Sequence, residues 1–358
     1  MKKTITILLC LCLVVSLCTC GETETKPQKP TREFTDSCGR TVQIPEEIDA
    51  VVPSGPLAQI MLYSLCPEKL QSLSQAFTRV QKQYIDEKYH DLPVSGQFYG
   101  GASSVSYEAI VLASPDIIID IGESKDSIAD DMDEIQTKSG TPTVFIWADM
   151  EHLAEAYETL GEILNVPEQA KACAAYIRDT LNDAKAASEQ IPESERKTVL
   201  YAQGEYGTEV AGPGTIHSEV LEYACAINAA PVDKLGSNGT EAVSMEEILK
   251  WDPEVVILAP DANYDEIWTD PAWSGVKAIK TGEVYEIPIG PYNWLDRPPS
   301  VQRVLGIKWL GNLLYPDVFD YDMVSEAQIF YKLFWHYDLS ADEAETLMVN
   351  STYREEWT

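Results

Sequence analysis

The chain has 358 residues, 45% of them hydrophobic in type, and carries 26 Lys and Arg against 58 Asp and Glu, a formal net charge of −32. A chain this acidic is repelled by a phosphate backbone, which excludes nucleic acid as a partner, while the length leaves room for two domains of ordinary size. Beyond residue 20 the cysteines are Cys38, Cys66, Cys173 and Cys225, widely spaced and without a CxxC pair, which excludes a cysteine zinc site and a disulfide-dense scaffold and leaves one bridge open.

Lys2 and Lys3 precede an apolar stretch, residues 4–16, that is too short to span a bilayer. Residues 17–21, LCTCG, resemble a bacterial lipobox, so residues 1–19 are expected to be a cleaved signal peptide and Cys20 to carry a lipid. The lipid would hold the chain at the outer face of a membrane without crossing it. Residues 20–33 are polar and proline-bearing and read as a flexible tether.

A first α/β lobe is expected over residues 34–166. Residues 33–45 alternate polar and apolar around a turn at Cys38 and Gly39, the pattern of a hairpin. Ala50, Val51 and Val52 make a buried strand that runs through Pro53, Ser54, Gly55 and Pro56 into a helix over 57–65. Strand, Gly/Pro loop and helix form a βα unit, whose loop N–H groups and Ser54 face an arriving ligand. A strand near 71–74, the segment QFYGG with Tyr99, and a strand over 143–147 that ends in Trp147 complete the lobe.

Residues 167–192 are expected to connect the lobes, with 167–191 read as a single helix about 36 Å long at a 1.5 Å rise per residue. Ala170, Cys173, Ala174, Ile177, Leu181 and Ala184 recur at spacings of three and four, so one face is buried. The second lobe, 193–315, opens with a strand over 197–202 and a glycine-rich loop carrying Tyr206, after which His217 or Ser218 starts a helix. A strand over 282–287 then leads into residues 291–300, PYNWLDRPPS, a proline-stiffened loop with Tyr292, Trp294, Asp296 and Arg297, and with Ser300 placed to cap a helix ending at Leu314. Helices over 325–336 and 341–349, within a last segment 316–358, are expected to pack back across the lobes.

An internal echo organises all of this. Residues 105–120, VSYEAIVLASPDIIID, match residues 243–258, VSMEEILKWDPEVVIL. Each copy has a capping Ser, a short helix, a Pro that stops it, and a run of β-branched residues without polar alternation. Such a strand is covered on both faces, as in a parallel sheet flanked by helices. The expected fold is therefore α/β: two Rossmann-like βα lobes joined by one long spine helix, with a ligand cleft between the lobes.

The order of lipobox, hairpin with a DxxGR element (Asp36 to Arg40), paired βα lobes, spine helix and repeated Ser-Glu-Pro segment resembles the class III substrate-binding proteins of ABC importers over residues 34–349. That resemblance implies a non-enzymatic, monomeric, lipid-anchored receptor without a cofactor, which hands a metal complex to an ABC permease and its ATPase. Residues 294–300 and the ending QIFYKLFWHYDLSADEA look like a branch for iron-complex uptake. It also implies that one Glu per lobe, Glu108 and Glu246, meets the permease. An acid in a helix's first turn is favoured by the helix dipole and stays exposed.

For the cargo, four scattered histidines argue against a metal held directly by protein ligands. A chelated metal calls instead for aromatic walls and an anion clamp, which Tyr99, Trp147, Tyr206, Tyr292, Trp294 and Arg297 supply, with Ser54 and Gly55 as hydrogen-bonding groups. The same residues suit a small oxyanion such as molybdate or tungstate, and nickel chelates, cobalamin and haem stay open. His217 is a lesser candidate, as a ligand to an unsaturated chelate. No GxSxG elbow, P-loop or cluster-binding Cys pair supports an enzyme.

Overall fold

The computed structural model describes residues 29–98, 105–233, 236 and 239–351. The signal segment, Cys20 and Tyr99 lie outside the described residues.

Strands β1 (Thr31–Thr35) and β2 (Thr41–Pro45) form the expected antiparallel hairpin. Asp36 builds its turn: the buried carboxylate accepts the Arg40 N–H at 2.9 Å, the Cys38 N–H at 3.2 Å and the Arg40 guanidinium at 2.9 Å. Arg40 also donates to the Thr143 carbonyl at 3.1 Å, and the Ser37 N–H to that of Phe145 at 2.9 Å. The DxxGR element thus fastens the hairpin to the sheet of the first lobe.

That sheet is parallel, in the order β3 (Val51–Pro53), β4 (Ile117–Gly122), β5 (Thr143–Trp147). Ile117, Ile118 and Ile119 are wholly buried, as a strand covered on both faces requires. The strand expected near 71–74 is reduced to isolated bridges from Val51 to Leu70 and from Leu73 to Val94. Ser72 and Ser74 turn their hydroxyls to Ser95 and Gln59, at 2.9 Å each, and these side-chain bonds compete with a regular ladder.

The second lobe has its own sheet, of β6 (Thr198–Gln203), β7 (Glu209–Val210), β8 (Ile227–Asn228), β9 (Glu241–Ala242), β10 (Val255–Leu258) and β11 (Val284–Glu286). Its order is β11-β10-β6-β7-β9, with β8 also on β6. β6, β10 and β11 run parallel, and the short β7 and β9 are antiparallel additions.

In chain order the helices are α1 (Pro56–Leu65), α2 (Tyr107–Ala113), α3 (Ile128–Ser139), α4 (Leu153–Leu164), α5 (Pro167–Gln190), α6 (Glu219–Tyr223), α7 (Met245–Trp251), α8 (Tyr264–Thr269), α9 (Lys277–Thr281) and α10 (Gln302–Leu314). They are followed by α11 (Pro316–Phe319), α12 (Met323–Phe330) and α13 (Ala341–Leu347). The two copies of the sequence echo fold alike. Ser106 caps α2 by accepting the Ala109 N–H, Ser244 caps α7 by accepting that of Glu247, and both helices end in a left-handed residue, Ser114 at φ 48° and Asp252 at φ 46°. Each then feeds a buried strand, β4 or β10. The spine is α5, which buries Ala170, Cys173, Ala174, Ile177 and Ala184, while Leu181 is half-buried.

After α12 the chain makes a π-helical turn, Tyr331–Trp335, that closes one side of the molecule. The Trp335 ring lies 6.0 Å from Tyr63 of the first lobe and 5.5 Å from Tyr292 of the second. Gln169 of the spine donates to the carbonyls of Ser64, at 3.0 Å, and Leu333, at 2.8 Å. Through Trp335 the turn that follows α12 touches both lobes. Cys38, Cys66, Cys173 and Cys225 are all free thiols.

Candidate functional site

Between the lobes lies a cavity of about 340 Å³. Pro56 and Gln59 from the start of α1, with Ser74, Gln75 and Thr78, line it from the first lobe; His217, Tyr292, Asp296 and Arg297 line it from the second. It sits beyond the carboxyl ends of β3 and β6, where a two-lobed α/β protein holds its ligand.

The second-lobe wall is organised by Asp296, whose side chain is fully buried. Its Oδ1 accepts the Tyr201 hydroxyl at 2.6 Å and the Asn293 amide at 3.3 Å, and its Oδ2 lies 3.0 Å from His217 Nδ1 and 3.5 Å from Arg297 Nε. Asn293 fixes the loop in turn, because its Oδ1 accepts the N–H groups of Leu295 at 2.6 Å and Asp296 at 3.1 Å. The Asp296 carboxylate is placed to accept from Nδ1 of His217 and so fixes the orientation of the ring. A methyl group at Gly239, whose φ is +78°, would lie 2.2 Å from the Nε2 of His217, so only glycine lets this backbone pass the ring. Burial, with the Asp296 carboxylate second, holds the Tyr201 phenol protonated well above its usual range.

Arg297 is oriented rather than loose. Its Nε and a terminal nitrogen both donate to Gln203 Oε1, at 3.0 and 2.8 Å, while 41% of its side chain stays exposed toward the cavity. Gln203 and Asp296 together set the plane of the guanidinium.

On the first-lobe wall Gln59, itself buried, accepts the Ser74 N–H at 2.7 Å, the Ser74 hydroxyl at 2.9 Å and the Gln75 N–H at 3.2 Å. Its amide also meets the Tyr292 hydroxyl, so one side chain joins α1, the 74–75 loop and the opposite lobe. No side chain caps α1, and its positive dipole end opens at Pro56 on the cavity. Behind it, the buried Asp120 of β4 accepts the Ser54 hydroxyl. Burial pushes the Asp120 carboxyl up to about 6, with the Ser54 bond opposing the rise.

Several sequence-predicted site residues therefore meet, and others do not. Tyr292, His217 and Arg297 converge on the cavity, and Gly55 adjoins it as the N-cap of α1. Trp294 is a correction: it is 0% exposed in the core, where its carbonyl packs so closely on α10 that a methyl at Gly306 would lie 1.9 Å away. An indole is the largest apolar side chain in that loop, and burying it anchors the loop rather than walling the cleft. Ser54 is a second correction, since its hydroxyl is spent on Asp120 and the side chain is 2% exposed. Trp147, 37% exposed, stacks on His152 with centroids 3.8 Å apart, and Tyr206 stands 64% exposed on a turn; neither lines the cavity. Gln59, Gln75, Gln203 and Tyr201 are the groups that reading by motif misses, because isolated amides and strand tyrosines carry no local signal.

A second interlobe cavity, about 480 Å³, lies toward the spine and is lined by Glu123, Lys185, Thr215, Glu219 and Glu222. The segment around Ile216 separates it from the Arg297 cavity. On the outer surfaces, Glu108 and Glu246 occupy matching positions two residues after the caps of α2 and α7, both exposed. Glu247 closes the capping box of α7, which leaves Glu246 without a hydrogen-bond or ion-pair partner among the described residues, as is Glu108.

Residues 71–289 match the family model described as periplasmic binding protein. An ABC transporter solute binding protein from Sulfurospirillum deleyianum shares the architecture with a TM-score of 0.81 and 28% identity, covering 89% of this chain and 99% of that one. The chain is 27% identical over 199 residues to a molybdate-binding protein of Haemophilus influenzae, covering 54% of this chain and 53% of that protein. It is 24% identical over 194 residues to an Fe(3+)-citrate-binding protein of Bacillus subtilis, covering 52% and 58%. The chain spans little more than half the length of these curated relatives.

Proposed function

We propose, for a chain that belongs to the periplasmic binding protein family, that the Arg297 cavity captures a small anionic iron chelate outside the cytoplasm and delivers it to an ABC permease and its ATPase. The observation that carries this reading is the convergence of Tyr292, His217 and Arg297 from one lobe with Gln59 and Gln75 from the other around a single cavity of about 340 Å³. Arg297 meets the negative charge, and the Gln75 amide and the Tyr292 hydroxyl meet oxygen atoms. Such a volume corresponds to roughly ten waters at ~30 Å³ each.

The second reading, a small oxyanion such as molybdate or tungstate, is favoured by one observation: Arg297 is the sole Arg or Lys among the described residues that line the cavity. The curated relatives bind a molybdate in one case and Fe(3+)-citrate in the other, both metal-bearing anions rich in oxygen. On either reading the lipid on Cys20 keeps the receptor at the membrane, the chain works as a monomer, and Glu108 and Glu246 dock it.

A thermal-shift panel separates the readings. Ferric citrate, ferric siderophores, nickel-histidine, molybdate, tungstate, haem and cobalamin are each added at fixed excess. A cognate solute at a hundred times its Kd adds about 2.7 kcal/mol. Stabilisation by ferric citrate alone supports the chelate, by molybdate alone the oxyanion, and by none of the panel rejects both.

A further inference from the structure

We infer that the permease-docking surface is not the two carboxylates alone but an acid paired with exposed aliphatic side chains one helical turn further on, once per lobe. This inference rests on the docking role proposed above and extends it to Val111, Leu112 and Leu249.

The echo makes the comparison position by position. Glu108 and Glu246 are the second residues after their caps, and Val111 and Leu249 are the fifth. Three residues along a helix is one turn, so each acid has an aliphatic neighbour on its own face, and Leu112 adds a second at a spacing of four. Val111 is 60% exposed, Leu112 79% and Leu249 39%. A folded chain of net charge −32 has ample polar side chains for its surface. Adjacent aliphatic residues left this open beside an unpartnered acid are the composition of an interface, not of a solvated face.

The arrangement also says what covers it. The same acid-plus-aliphatic step recurs on two separate lobes, so the partner offers two related sockets, each with a basic side chain set among apolar ones. The ABC permease with which this family works is the partner to which two such sockets are assigned. A lipid surface is not that partner, because the carboxylates oppose approach to anionic headgroups. The lobes are not equal, however. Leu112 corresponds to Lys250 in the second copy, and Leu249 leans on its own lobe, close enough that a methyl at Gly275 would lie 2.6 Å from it. The first-lobe socket is therefore the more apolar, and substitutions there act more strongly.

The test reconstitutes the full lipidated chain with its cognate permease and ATPase in proteoliposomes and measures ATP hydrolysis, stimulated by ferric citrate or by molybdate, against receptor concentration. Val111→Ser with Leu112→Ser is expected to raise the half-saturating concentration at least tenfold, and Leu249→Ser less, with cargo affinity and melting temperature unchanged. A half-saturating concentration within twofold of the parent, while Glu108→Ala with Glu246→Ala does shift it, overturns the aliphatic inference and leaves the docking role standing. No stimulation by the parent chain overturns both. In the Cys20→Ala chain, binding to permease-free phosphatidylglycerol vesicles that is lost when Val111→Ser and Leu112→Ser are added assigns the patch to lipid and also overturns it.

Discussion

His217 Nδ1 lies 3.0 Å from Asp296 Oδ2, and through this contact a helix-entry residue of the second lobe is locked to the loop that carries Arg297. Asp296 also receives the Tyr201 hydroxyl from the centre of β6, so the binding wall is built outward from the sheet. The carboxylate is a positioning group: it aims a cation and an imidazole at the cavity and is itself fully buried.

Asp296→Ala leaves the Tyr201 hydroxyl, the Asn293 amide and the His217 N–H without their acceptor in a buried setting. The expected loss of stability is about 3 kcal/mol, read as a lower midpoint in urea unfolding with unchanged slope. A midpoint equal to the parent's would show that the three donors find other partners.

Arg297→Ala is expected to weaken binding of an anionic cargo by about 2–3 kcal/mol, the lower part of the range for buried charge pairs because the side chain is partly solvated. Arg297→Lys is expected to recover little of this, since an ammonium cannot donate two fork-like bonds to Gln203 Oε1 while facing the cargo. Isothermal titration decides it, and full recovery by lysine would reduce Arg297 to a point charge.

Asp120 gives a pH signature. Its folded-state carboxyl is pushed up to about 6 by burial, so the unfolded chain releases the proton first as pH rises. The folded state therefore loses stability between about pH 4 and pH 6 and the deficit then stays constant, on the order of 2–3 kcal/mol. Asp120→Asn, which keeps an acceptor for Ser54, should remove that deficit. The difference between variant and parent in denaturant unfolding should be near zero at pH 4 and grow to pH 7; a difference independent of pH would contradict the account.

Glu108→Ala with Glu246→Ala is expected to leave cargo affinity within twofold and to lower uptake into cells or proteoliposomes at least tenfold. Both helices keep their Ser caps, so melting should not move. Weakened cargo binding would place these acids in the cleft's energetics instead of at the docking face.

Cys20→Ala is expected to move the chain from the membrane fraction to the soluble fraction after cell fractionation. Retention in the membrane would remove the lipid anchor from the scheme.

Much of the architecture was legible because it rests on local chemistry. The Ser-capped helices and Pro-stopped ends of the echo, the three-and-four spacing of α5 and the apolar runs of β4 and β10 each specify their element without outside help. The short β7, β8 and β9 were not legible, since two-residue strands depend on a neighbour's edge rather than on their own pattern. Within the site, the proline-flanked loop announced Tyr292 and Arg297 but could not say which of its rings faces inward. Trp294 went to the core and Tyr292 to the cavity. Gln59 and Gln203 became visible only when tertiary contacts gave their amides partners from distant segments.

The central claim is that the cavity between Gln59 and Arg297 holds the metal-bearing cargo. Crystals of the full chain grown with ferric citrate or with molybdate, measured at the iron or molybdenum absorption edge, test it directly. One strong anomalous peak is expected inside the space bounded by Gln59, Tyr292, His217 and Arg297. A peak in the spine-side cavity beside Glu123 and Glu219, or none from either solute, would contradict it.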